Sequence, residues 1–164
     1  MDEIRRLMYK IERFFSKIIR VLEFIKLGWE DEDWDFEYLL KLIEFKCKKM
    51  REDFNNSGFL TEENRRDIRI GLNKTLYFID CYRDSSILYK DMYGEFPLEV
   101  SYRSVPCENG LSEMVSVNKK TGEVLSGNKE KQYMDYILKL NELEQLSWEK
   151  IFETISEEGQ KWWN

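Results

Sequence analysis

At 164 residues the chain is the length of one domain, and its 15% aromatic content is enough to bury a core without disulfide or metal staples and to exclude an intrinsically disordered chain. A net charge of −6 repels phosphates on average and so excludes general nucleic-acid binding. Histidine is absent, which removes imidazole-based triads, histidine-liganded metal sites and the usual proton shuttle near neutral pH.

Cys47, Cys81 and Cys107 are odd in number and form no C-x-x-C pair, so they read as free thiols of a reducing cytosol rather than as zinc ligands or a disulfide framework. Met1-Asp2-Glu3-Ile4-Arg5-Arg6 has no signal-peptide apolar run, and no stretch approaches the roughly 20 apolar residues of a membrane span. A single cytoplasmic domain over residues 1–164 is expected.

Residues 2–26 place Ile4, Leu7, Ile11, Phe14, Ile18, Val21 and Ile25 at alternating steps of three and four, the stripe of an amphipathic helix. Seven bases against four acids give this segment a charge of +3. Such a helix can lie on an anionic membrane surface or pack in a bundle with its basic face in water, and the regular seam favours the bundle. Leu27-Gly28 is expected to end it, with Gly28 in the left-handed conformation.

The stretch Gly28 to Leu40 then sets Trp29 and Trp34 among six carboxylates and no base, and it runs directly into a second apolar-periodic segment. Asp33 or Asp35 can cap a second helix over about 35–54, with Phe36, Leu39, Leu40, Ile43, Cys47, Met50 and Phe54 inward. Lys46, Lys48, Lys49 and Arg51 complement its acidic start along the helix dipole. After the turn cluster Asn55-Asn56-Ser57-Gly58, Thr61 caps a third helix whose inward face is Ile68, Leu72, Leu76, Ile79 and Tyr82. That helix continues or restarts through Ile87, Leu88 and Met92 up to Tyr93-Gly94.

From Phe96 the period changes to two. Leu98 to Val105, Met114 to Val117 and Glu123 to Leu125 predict a short antiparallel hairpin or three-stranded sheet at about 97–126, with Pro106 stopping the first strand. Asn128 caps the next helical region and Ser147 reads as the cap of a further helix through Ile151 and Ile155, closed at Glu157-Glu158-Gly159. The fold class expected is therefore α+β, mainly α: a bundle of four to five helices with the small sheet inserted.

Without histidine, catalysis would rest on carboxylates or lysine. Asp31, Asp33 and Asp35 have D-x-D-x-D spacing, but a calcium loop opening at Asp31 would need glycine at Phe36 and glutamate at Leu42, so capping and solvation are the preferred roles. No phosphate-cradling glycine motif or nucleophile elbow is present. No catalytic residue, metal ligand or cofactor is assigned. Trp29, Asp31, Asp33, Trp34, Asp35, Trp162 and Trp163, with Arg65, Arg69 and Arg103, are the binding candidates, because exposed Trp beside Arg is what hot spots use and such a pocket can hold a nucleotide. Against this, Trp162 and Trp163 can fold back to seal the bundle, and arginines are commonly just solvated.

Trp29 and Asp33-Trp34-Asp35-Phe36-Glu37-Tyr38-Leu39-Leu40, followed by Glu44-Phe45-Lys46 and Met50, resemble a recurrent family of small tailed-phage proteins of uncharacterised function that share a W-D-[FY]-x-[YF]-x-L motif and often a Trp-rich C-terminus such as Trp162-Trp163-Asn164. The likeness covers mainly residues 28–54. It implies a phage origin and carries no catalytic residues. The expected function is a non-catalytic phage accessory protein, located in the host cytoplasm, that binds and inhibits or sequesters a host component, foremost a defence effector. A sponge for a small signalling nucleotide, a magnesium-dependent carboxylate enzyme and a virion structural protein are the alternatives, and a homo-oligomer stays open.

Overall fold

A computed structural model of the chain describes residues 2–29, 36–55, 61–107 and 110–162. They form five α-helices, a two-stranded antiparallel sheet and a closing 3-10 turn, in keeping with the α+β, mainly α expectation. The chain divides into two compact units, residues 1–56 and 57–164, taken here in turn.

In the first unit α1 spans Asp2–Trp29 and α2 spans Phe36–Asn55. Leu27-Gly28 does not end α1. The helix runs through Gly28 to Trp29, a glycine inside a long helix being a tolerable penalty of about 1 kcal/mol relative to alanine. The proposed caps Asp33 and Asp35 lie outside the described residues. On α2, Leu40, Cys47 and Met50 are buried at helical spacing, whereas Phe36 and Leu39, expected inward, stay exposed on its first turn. The basic cluster ends before the last turn, and it is held by acids rather than by the dipole: Lys48 pairs with Glu44 one turn earlier, and Lys49 pairs with Glu23 of α1 at 2.9 Å and with Glu52 at 3.7 Å. The described side chains of the α1 seam are not covered. Phe14, Ile18 and Leu22 remain 61, 39 and 58% exposed.

The second unit begins at α3, Glu62–Arg83, where the Thr61 hydroxyl accepts a hydrogen bond from the Asn64 amide at 3.3 Å, as its capping role requires. Asp84 ends α3 and restarts the chain as α4, Ser85–Tyr93, its carboxylate accepting from the Ser86 amide at 3.1 Å. A hydrogen bond from Tyr77 to Asp91, 2.6 Å, ties the two helices across this break.

Strands β1, Val100–Pro106, and β2, Ser112–Asn118, pair antiparallel with Arg103 opposite Val115. Pro106 is the last residue of β1 rather than the residue after it, where no further ladder bond is asked of it. The third strand expected at Glu123 to Leu125 is reduced to a bridge between Val117 and Val124. Asn118 and Gly122, the latter at φ 71, make the turn between them. Such a small sheet needs support, and the Tyr102 hydroxyl meets the Tyr133 hydroxyl of the next helix at 2.7 Å.

That helix, α5, runs unbroken over Asn128–Glu158. Asn128 is its first residue and not its cap, a place taken by Gly127 without a side-chain bond. Ser147 is not a second cap either. It lies on the buried stripe of Tyr133, Leu143, Ile151 and Thr154, and its hydroxyl donates to the Leu143 carbonyl at 2.7 Å. Thr75 of α3 and Thr154 of α5 do the same toward Gly71 and Lys150, so all three buried hydroxyls are satisfied one turn back and add little bulk. These small residues accompany the packing of α3 along α5, which forms the centre of this unit. The 3-10 turn Gly159–Trp162 closes the chain onto α3.

Candidate binding site

Tyr89 and Tyr93 stand one turn apart on α4, and Tyr133 and Tyr136 nearly so on α5. Gly94 ends α4 at φ 84, a conformation that glycine adopts without strain, and returns its amide to the Lys90 carbonyl at 2.9 Å. The reversal carries Phe96 back over α5, where its ring stacks on Tyr136 with centroids 4.0 Å apart and planes 7° from parallel. Tyr89 meets the edge of the same Tyr136 ring at 4.7 Å and lies 5.2 Å from Tyr93. The spacings of Tyr89 to Tyr136 and to Tyr93 are those of attractive aromatic pairs, and Phe96 stacks closer still on Tyr136.

Between α4, the Phe96-Pro97 segment and α5 this packing leaves an open groove of about 450 Å³, edged by Gln132, Asp135 and Lys139. Four aromatic rings and Pro97 share its lining with one acid, one base and one amide. Lys139 lies 5.7 Å from the Tyr93 ring centre and is engaged by Glu142 at 2.6 Å, which raises its pKa. Burial raises the Tyr136 pKa, with smaller contributions from Tyr89 and Asp84. Burial and then the bond to Tyr102 push Tyr133 up to about 12.

The described residues among those singled out in the sequence do not line this groove. Trp29 is the last residue of α1. Asp31, Asp33, Trp34, Asp35 and Trp163 lie outside the described residues. Arg65 is half-buried and pairs with Glu62 at 3.3 Å, while its Nε is buried without a hydrogen-bond partner among the described residues. Arg69 is exposed one turn further along α3, and Arg103 is exposed in the middle of β1. Trp162 is buried, its indole against the bare backbone of Gly71, in the sealing role open to it from the sequence. The groove is lined by a different set, whose signal was present in the Tyr-x3-Tyr and Tyr-x2-Tyr spacings and in Phe96-Pro97 immediately after Gly94.

Among the described residues no three acids or cysteines gather as a metal site. Comparison of the chain with family models, curated proteins and solved structures finds no match. The groove is thus characterised by its own chemistry: a largely aromatic lining with one acid, one base and one amide, which suits flat or apolar groups.

Proposed function

We propose that the protein is a non-catalytic accessory protein of phage origin that acts in the host cell by holding a host protein, with the α4–α5 groove as its contact. The observation that carries this reading is the stacked Phe96–Tyr136 pair flanked by Tyr89 and Tyr93 in an open groove. Tyrosine supplies large contact area with little loss of conformational entropy and is enriched where proteins meet. Proline-rich or aromatic-bearing extended segments are the chemistry such a groove takes. The phage origin rests on the Trp34-Asp35-Phe36 resemblance.

The groove favours a protein segment over a signalling nucleotide. A phosphate calls for free cationic donors, whereas Lys139 is shared with Glu142, Asp135 stands beside it, and Arg65, Arg69 and Arg103 are not part of the lining. Two measurements test the reading. Deleting the gene is expected to lower infection yield on at least one host of a panel carrying different defence systems, and the gene with Tyr93→Ala and Phe96→Ala is expected not to restore it. Calorimetry with cyclic and adenine-derived signal nucleotides is expected to show no heat. Unchanged infection across the panel, or stoichiometric nucleotide binding, would overturn the proposal.

A further inference from the structure

We propose that α1 is a membrane-surface helix that lays its apolar face on an anionic bilayer. This stands on the first unit alone and does not depend on what the α4–α5 groove holds. The helix is 28 residues long, about 42 Å at the helical rise. At 100° per residue the apolar residues from Ile4 to Ile25, Tyr9 and Phe24 excepted, fall in a sector of roughly 160°, wider than the two-position seam of a paired coiled coil. Met8, Phe14, Phe15, Ile18, Leu22 and Ile25 in that sector are 39 to 61% exposed. Among the described residues Ile11, Phe15 and Ile19 line an open groove with Lys49, Glu52 and Asp53 of α2, and Glu23 pairs with Lys49.

Charge decides between the occupants. Residues 2–26 carry +3 in a chain of −6, and subtracting the first from the second leaves −9 for the remainder. Basic side chains on the polar face, with Lys10 and Lys17 exposed along the margin of the apolar sector, suit lipid phosphates and can reach them while their stems cover apolar surface. A second copy is a poorer match. In the repeat set by Ile4, Leu7 and Ile11, the positions flanking the seam are Glu3, Lys10, Lys17 and Phe24 on one side and Met8, Phe15 and Leu22 on the other, so in a parallel pair Lys10 and Lys17 face Phe15 and Leu22 and no acid answers them. The negative remainder is screened from the bilayer beyond a Debye length of about 8 Å in physiological salt. Among the described residues no helix is long and apolar enough to cross a membrane, so the contact is with the surface.

The test is flotation of the full chain with phosphatidylcholine vesicles made with and without phosphatidylserine, at low and physiological salt. Binding is expected with phosphatidylserine, at least tenfold weaker without it, and weaker as salt rises. Ile18→Asp is expected to abolish binding, and Lys10→Glu with Lys17→Glu to weaken it at least tenfold. The lysine pair lies outside the apolar face, so it separates lost charge from lost folding, with far-UV circular dichroism as the check. Equal binding to both vesicle types, or binding to neither, overturns the proposal. An oligomer by light scattering that Ile18→Asp dissolves, without vesicle binding, also overturns it, in favour of a second copy.

Discussion

Trp162 fills the space that a side chain at position 71 would occupy. A β-carbon built on Gly71 would stand 3.1 Å from the indole nitrogen and 3.2 Å from the Glu158 β-carbon, so the two residues are one packing decision. The indole N–H is buried without a partner among the described residues, and its value there is apolar contact rather than a hydrogen bond. Trp162→Ala is expected to lower stability by about 3 kcal/mol in denaturant titration, the lower end for burying and then losing a large aromatic, while Trp162→Phe retains most of it. Equal losses in the two variants would contradict this. From sequence the open question was whether Trp162 binds or seals, and the deciding residue, Gly71, sits 91 positions earlier inside an ordinary helical pattern. Burial also sorts the thiols. It pushes Cys47 up to about 11, with Glu44 adding to the shift, and it raises Cys81. Cys107, half-exposed, is expected to be alkylated first at mildly alkaline pH, with Cys47 and Cys81 following on unfolding. Mass mapping of the labelled sites checks the order.

Among the elements, α5 separates what periodicity reveals from what it conceals. The apolar spacing from Tyr133 onward marked a helix, and Thr61 marked the start of α3, because a cap and a stripe are local signals. Ser147 before Trp148-Glu149 carries the same local signal as a cap, but burial against the rest of the unit overrides it: the serine is an inward position of a continuous helix. Glu149→Pro distinguishes the two arrangements. Proline is tolerated in a first turn, whereas inside α5 it should cost about 3 kcal/mol or more and reduce helical signal. The hairpin is a second case. Alternation placed both strands, while its attachment through the Tyr102–Tyr133 hydroxyl pair joins positions 31 apart and had no local sign. Tyr133 holds its proton to about pH 12 when folded against an ordinary value of 10, so the stability it contributes is complete below pH 10 and is lost as pH rises toward 12. Thermal melts across that range should therefore fall less steeply for Tyr133→Phe than for the parent chain.

For the molecule as a whole, composition and pattern made the fold class legible, because helical and strand periods differ and α2, α3 and α5 each bury a stripe. The candidate site was not legible in the same way. Sequence reasoning favoured tryptophan and arginine, residue types weighted by chemistry, whereas the groove arises where Gly94 reverses the chain and brings Phe96 onto Tyr136 of a helix 40 positions away. Such a juxtaposition depends on tertiary packing, and only its ingredients, tyrosines at helical spacing, stand in the sequence. The central claim is that this groove holds a host protein. The most direct measurement places a photoreactive amino acid at Tyr93, more than half exposed on the groove wall, and irradiates infected cells. A discrete adduct with one host protein, competed by the unmodified chain but not by its Phe96→Ala and Tyr136→Ala variant, is the expected result; no adduct, or one indifferent to those two rings, would contradict it.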